Sequence, residues 1–103
     1  MLDVNTSESG EHKVISLVGE LDIATVDTFK KSIDDASEGA QRIILDMAKL
    51  SFVDSTGVGG LLNVVKGLKK NNLPVKITNV SPDVYEVFDL LGLPMLLGRE
   101  IFE

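Results

Sequence analysis

The order of strand-like and helix-like segments in this chain restricts the folds that it can adopt. Strand patterns begin at Leu2 and recur at 13–19, 42–47 and 74–80, and a helical spacing of apolar residues follows each of the last three. The turn SESGE between the first two strands is too short for a helix, so these strands should form an antiparallel hairpin. The later strands, joined through helices, should pair in parallel by right-handed crossovers. The predicted order is β-β-α-β-α-β-α.

This order predicts an α/β fold with a mixed sheet of four or five strands and three or four helices. Asp22 or Thr25 is the candidate cap of the first helix, and Gly39 should end it. Ser81 should cap the third helix, which Gly92 ends, and the tail LPMLLGREIFE should hold one short extended segment. The predicted buried faces of the three helices are Val26, Phe29, Ile33 and Ala36; Val58, Leu61, Leu62, Val65 and Leu68; and Val84, Phe88 and Leu91.

Composition excludes several classes of function. A chain of 103 residues with 44% hydrophobic content suits one domain, residues 1–103, with one core. It has no Cys and only His12, which excludes disulfides, thiolate or His-rich metal sites and most triad chemistry, so no cofactor or metal is expected. The net charge of −6 argues against nucleic acid or an anionic membrane as a direct partner. With no signal peptide and no long apolar span, we expect a cytoplasmic protein.

The stretch VDSTGVGG, residues 53–60, is unusual for a strand-to-helix junction. Three glycines, Gly57, Gly59 and Gly60, stand in the first turns of a helix, where each costs roughly 1 kcal/mol relative to alanine. Ser55 could simply be the helix N-cap, and close helix–strand packing could explain one or two of the glycines. Alternatively, the glycines keep the turn open to another surface, at a helix N-terminus that can bind or carry a phosphate.

Three enzyme-like interpretations of this region fit the residues less well. No Lys follows the glycines as in a nucleotide-binding P-loop, and Val53 replaces the first glycine of a hydrolase elbow around Ser55. A receiver-like aspartate phosphoacceptor is the strongest of the three, with Asp46 at the end of a central strand and Glu20 and Asp22 as an acidic pair. The opening hairpin and the lack of a late Lys-Pro pair argue against it.

A second candidate segment is GELD, residues 19–22, which follows the second predicted strand. It could be only a turn that ends in a helix cap. If the second and third strands run parallel, however, GELD lies at the same edge of the sheet as DSTG, because α/β folds gather such loops at the carboxyl ends of their strands. The two loops would then form one acidic, hydroxyl-rich surface.

GELD, LDMAKLSFVDSTGVGGLL and NVSPDVYEVFDLLGL, with their spacing, resemble the STAS domain, and most of all the bacterial anti-sigma factor antagonists. The resemblance extends from the first hairpin to about Leu93, and its most specific part is D-S-T-G-[apolar]-G after an apolar strand. Val58 stands where Leu is commoner, and Gly60 is an additional glycine. The sequence also stops at Glu103, where many relatives have a further helix.

The resemblance implies a non-enzymatic, monomeric switch protein. Its unphosphorylated form would bind an anti-sigma factor that is also a serine kinase, and so release the sigma factor. Phosphorylation of Ser55, with Thr56 as the alternate acceptor, would block binding, and a protein phosphatase would reverse it. The implied partner-binding residues are Asp22, Asp54, Ser55, Thr56, Gly57 and Gly59. The alternative is a STAS interaction module that is not phosphorylated, within a larger signalling or transport complex.

Overall fold

The computed structural model describes residues 1–103 as a mixed sheet with four α-helices. The strands are β1 (Leu2–Ser9), β2 (His12–Leu21), β3 (Arg42–Val53) and β4 (Val75–Thr78). The helices are α1 (Val26–Ser37), α2 (Ser55–Lys70), α3 (Pro82–Leu90) and α4 (Leu93–Leu97), and a 3-10 turn follows at Arg99–Ile101.

The strands lie side by side in chain order, β1-β2-β3-β4. β1 and β2 form the predicted antiparallel hairpin, and β2, β3 and β4 are parallel to their neighbours. Phe102 makes one isolated parallel bridge to Ile77, beyond the edge of β4. The predicted fold class is confirmed, and the extended segment in the tail is this single bridge.

The lengths of three strands differ from the prediction. β2 extends from His12 to Leu21, beyond the predicted 13–19, so most of GELD lies in the strand and only Asp22 follows it. β3 continues beyond Met47 to Val53, and β4 is shorter than the predicted 74–80. The pairing of β2 with β3 shifts register between Ser16 and Val18, and Ala48 and Lys49 beyond the shift are both exposed. The irregularity removes the alternation of buried and exposed residues by which a strand is recognised in a sequence.

All four helices pack on one face of the sheet, over one hydrophobic core. The cluster has 23 buried residues, including Phe29, Leu45, Leu61 and Phe88. On β2, Ile15 and Leu17 of this face are fully buried, while their neighbours on the opposite face are half-buried. Burial of this apolar area is the main term that offsets the conformational entropy of folding.

The predicted helix faces agree with the structure at most positions. All four apolar residues predicted for α1 are buried, and on α2 only Leu62 is half-buried rather than buried. The prediction for Leu91 is wrong, because this residue is 45% exposed. It follows the last helical residue of α3, and Gly92 turns the chain with a φ of 78° before the next turn of helix is completed.

The helix ends follow local rules. Ser81 caps α3, as predicted, by accepting a hydrogen bond from the Val84 N–H at 3.3 Å. The predicted stop of α1 at Gly39 has a φ of 76°, which favours glycine. No helix combines the length and the apolar composition that a membrane span requires.

Replacing Phe88 by Ala should destabilise the protein strongly. Phe88 is fully buried, so we expect a loss of about 3–5 kcal/mol from the free energy of unfolding. Leu90→Ala is the matched control: Leu90 is 78% exposed on the same helix and should change this free energy by only about 0.5 kcal/mol. Urea unfolding followed by circular dichroism measures both, and similar losses in the two variants would contradict the packing of α3.

Candidate functional site

The loops that follow β2 and β3 lie side by side at the carboxyl edge of the sheet. The two strands are parallel and end together, because Leu21 pairs with Val53. The Ile23 N–H donates to the Asp54 carboxylate at 3.2 Å, and the Asp54 N–H donates to the Leu21 carbonyl at 3.3 Å. The structure therefore brings GELD and DSTG together, as the sequence predicts.

The N-cap of α2 is Asp54. Its backbone is extended, with φ −111° and ψ −178°, and its Oδ1 accepts a hydrogen bond from the Gly57 N–H at 2.7 Å. The interpretation of Ser55 as the cap is thus wrong, because Ser55 is the first residue of the helix itself. The second carboxylate oxygen of Asp54 holds Ile23, so one side chain joins the start of α2 to the loop after β2.

Ser55 and Thr56 present their hydroxyls at the exposed start of α2. Both residues are solvent-exposed, and neither side chain takes part in a hydrogen bond within the chain. Their backbone N–H groups belong to the first helical turn, which has no intrahelical acceptors. This end of the helix also has the positive end of the helix dipole, so an anion on either hydroxyl would meet a favourable field.

Thr25, the only buried polar residue, shapes the loop after β2. Its hydroxyl donates to the Glu20 carbonyl at 2.9 Å and accepts from the Asp22 N–H at 3.0 Å. Thr25 is the N-cap residue of α1 but makes no capping bond with its side chain. Asp22 does not cap the helix by its side chain either: its Oδ1 accepts from the Ala24 N–H at 3.0 Å, within the loop. The predicted cap roles therefore become loop-forming roles, which leave Asp22 half-exposed.

The three glycines of α2 have different surroundings. Gly57 is buried, and a Cβ there would overlap the Leu21 carbonyl oxygen. A Cβ on Gly60 would overlap the side chain of Val26, so this glycine lets α1 and α2 approach closely. Gly59 has open space around it. Close packing thus explains Gly57 and Gly60, and the expected openness toward another surface remains at Gly59.

The charge around the two hydroxyls is acidic. Asp22 and Asp54 lie in the paired loops, and Glu20 faces Phe52 across the ends of the strands. The Glu20 carboxylate accepts a hydrogen bond from the N-terminal ammonium at 2.9 Å, which raises the pKa of that ammonium above its usual value of 8.0. Both members of this ion pair are exposed, so it adds little to stability.

Asp46 occupies a different position from the one that the receiver hypothesis requires. It lies within β3, and its Oδ1 accepts hydrogen bonds from the Ala48 N–H at 3.0 Å and the Asn79 side chain at 3.1 Å. The strand continues to Val53 before it reaches the edge where Ser55 lies. The prediction that Asp46 ends its strand is wrong, and Asp46 is remote from the acidic loop.

Two exposed apolar side chains at this edge were not predicted from the sequence. Ile23 is 74% exposed and Phe52 is 49% exposed, and each lies within two residues of a predicted site residue. An apolar residue beside an acidic loop resembles any core residue in a hydropathy pattern. The register shift in β3 also hides which of its last residues face outward.

The contrast between Gly57 and Gly59 can be tested directly. Gly57→Ala should lower the free energy of unfolding by more than about 1 kcal/mol, because the added methyl forces α2 away from the Leu21 carbonyl. Gly59→Ala has room for its methyl and should raise the free energy by up to about 1 kcal/mol through better helix propensity. Thermal and urea unfolding measure both, and stabilisation by Gly57→Ala would contradict the packing.

The bridging role of Asp54 predicts a local effect of its removal. Asp54→Ala should cost about 0.5–2 kcal/mol for the lost cap and should also speed hydrogen exchange at the Ile23 amide. Asp54→Asn keeps one acceptor oxygen and is the matched control, with a smaller loss. Amide exchange by NMR decides: if the Ile23 amide exchanges at the wild-type rate in Asp54→Ala, the carboxylate does not hold the loop.

The sequence is similar to known proteins over nearly its whole length. The model of the STAS domain family matches residues 3–103. An anti-sigma-B factor antagonist from Staphylococcus epidermidis is 29% identical over 97 residues, which cover 93% of this chain and 90% of the relative.

Solved structures share the fold. The Bacillus cell fate determinant SpoIIAA in its phosphorylated form matches with a TM-score of 0.71 and 30% identity, over 100% of this chain and 89% of that chain. A sulfate transporter family protein from Wolinella succinogenes has a TM-score of 0.80 at 21% identity, over 93% and 79%, and this likeness concerns the fold alone. With the family model spanning nearly the whole sequence, the chain belongs to the STAS domain family.

Proposed function

We propose that this chain is an anti-sigma factor antagonist that acts in the cytoplasm through a phosphorylation switch at Ser55. The unphosphorylated form binds an anti-sigma factor with serine kinase activity and releases its sigma factor; a protein phosphatase restores that form. The supporting observation is the exposed Ser55 hydroxyl, free of hydrogen bonds and beside the acidic loop of Asp22. Relatives named anti-sigma-B factor antagonist and a structural relative solved in a phosphorylated form support the assignment.

The charge of a phosphate explains how binding would be blocked. A phosphoserine adds a charge of about −1.5 to −2, and at the start of α2 the helix dipole contributes roughly 0.3–1 kcal/mol in its favour. Both oxygens of the neighbouring Asp54 carboxylate already accept N–H bonds, which moderates its repulsion of the phosphate. The fold should therefore tolerate phosphorylation, whereas a partner surface packed against Ser55 should not.

In the proposed function the chain itself catalyses no reaction. The one histidine, His12, begins β2, and Ser55 lies beyond its far end, roughly 30 Å away along a strand of this length. No group of three or more acidic or histidine side chains is arranged to hold a metal ion. The phosphoryl group would be transferred by the partner kinase, and this chain would supply only the acceptor hydroxyl.

The test uses the anti-sigma factor kinases of the host, each purified and incubated with ATP and the chain. Mass spectrometry should locate the phosphate on Ser55. Ser55→Ala should bind the kinase as tightly as wild type, because the cap is Asp54, and should not be phosphorylated. Ser55→Asp should stay folded but bind at least tenfold more weakly, a difference of about 1.4 kcal/mol or more.

Thr56→Ala is the matched control, since it removes the adjacent exposed hydroxyl and should be phosphorylated normally. Phosphate on Thr56 instead of Ser55 would show that the acceptor is misassigned. Equal binding by folded Ser55→Ala and Ser55→Asp would refute the switch and leave a STAS interaction module that does not depend on phosphorylation.

A further inference from the structure

We propose that the partner interface extends from Ser55 across Phe52 into the cleft beside α3, where an apolar side chain of the anti-sigma factor is bound next to one of its basic groups. This proposal rests on the proposed function and adds the contacts that would anchor the partner. The anchor consists of Ile23, Phe52 and the cleft between β3 and α3.

The Phe52 side chain is exposed and does not belong to the hydrophobic core. Val53 beside it is buried, whereas Phe52, the second-last residue of β3, is 49% exposed. Aromatic side chains are enriched at the centres of protein interfaces, where they bury a large apolar area at little cost in conformational entropy. An exposed phenylalanine three residues before the proposed acceptor serine thus suits a docking role better than a structural one.

Ile23 provides a second exposed apolar group at the same edge, held in place by the backbone. Its side chain is 74% exposed, while its N–H is bound to the Asp54 carboxylate, which also caps α2. The backbone that carries this side chain therefore has a defined position relative to Ser55 before any partner binds. Such pre-organisation lowers the entropy lost on binding.

The cleft beside Phe52 has the size of one side chain. Its volume is about 130 Å³, and its lining is mostly apolar: Ser51, Phe52, Val53, Asp83, Val84 and Val87. Apolar cavities of roughly 150 Å³ hold a molecule the size of benzene. A single leucine, isoleucine or phenylalanine side chain from a partner would therefore fill it.

The charges around the anchor select a basic partner. Asp83 is exposed in the first turn of α3 at the cleft, and Asp22 and Asp54 lie in the adjoining loops. No lysine or arginine lines the cleft. Since the whole chain also has a net charge of −6, the complementary surface has lysine or arginine around an apolar residue.

Another exposed apolar group gives the experiment its control. Leu90, Leu91, Met95 and Leu96 are all exposed, around the end of α3 and on α4. This group lies at the other end of the molecule, because α3 runs away from the carboxyl edge and the Lys69 amine, in the last turn of α2, donates to the Leu97 carbonyl at 3.0 Å. If the loss of any exposed apolar side chain weakened partner binding, a substitution in this group would weaken it as well.

The experiment measures the Kd of the anti-sigma factor kinase that phosphorylates Ser55, and the kcat/KM of that phosphorylation. Phe52→Ser and Ile23→Ser should each weaken binding tenfold or more and lower kcat/KM in parallel, with circular dichroism unchanged. Asp83→Asn should weaken binding severalfold at low salt and less at high salt. Leu90→Ser should leave Kd within about twofold of wild type, as expected for a surface outside the interface.

The outcomes separate this inference from the proposed function. If wild type binds and is phosphorylated but Phe52→Ser and Ile23→Ser match it, the anchor is wrong and the switch stands. Equal weakening by Leu90→Ser would also refute the anchor. If no anti-sigma factor kinase binds wild type, both proposals fail. Ile23→Ser keeps its backbone bond to Asp54, so it tests the anchor even if Phe52→Ser folds poorly.

Discussion

The geometry of the candidate site depends on one carboxylate, that of Asp54. One oxygen accepts the Gly57 N–H at 2.7 Å and so caps α2, and the other accepts the Ile23 N–H at 3.2 Å in the loop after β2. Two segments that are remote in sequence are thereby fixed to each other at the edge of the sheet. The parallel pairing of Leu21 with Val53 brings them near, and the carboxylate determines how they meet.

Gly57 and Gly60 allow α2 to pack closely against its neighbours at the same junction. Any side chain at position 57 would displace α2 from the Leu21 carbonyl, and one at position 60 would separate α2 from α1. Their unfavourable helix propensity, roughly 1 kcal/mol each, is offset by the packing that the close approach allows. The main effect of the glycine-rich turn is thus to let the start of α2 pack against the neighbouring loop.

Much of this arrangement could be predicted from the sequence, because it follows from local patterns and one topological rule. The hairpin, the parallel strands and the meeting of GELD with DSTG all follow from strand order and short connections. The identity of the cap could not be predicted in the same way. Asp54 and Ser55 are both good capping residues, and only the extended backbone at Asp54 decides between them.

Other features depend on tertiary structure that no local pattern records. The extension of β3 to Val53 follows a register shift with β2, which destroys the strand signal in the residues beyond it. The exposure of Phe52 has the same origin, since hydropathy alone would place it in the core. Leu91 shows the opposite error, because its spacing fits the buried face of α3 but Gly92 ends the helix first.

The division of roles between Asp54 and Ser55 has a consequence for any modification of the serine. If Ser55 were the cap, a phosphate on its oxygen would replace the group that holds the helix end, and phosphorylation would alter the fold near the site. Asp54 makes the capping bond, and the Ser55 hydroxyl makes no hydrogen bond within the chain, so a phosphate on Ser55 would leave the Gly57 and Ile23 contacts in place. The added charge would act on a partner surface docked at Ser55, and the positions of Phe52 and Ile23 would not change. In the proposed switch, phosphorylation would change the affinity for a partner without changing the shape of the protein, and removal of the phosphate would regenerate the same binding surface.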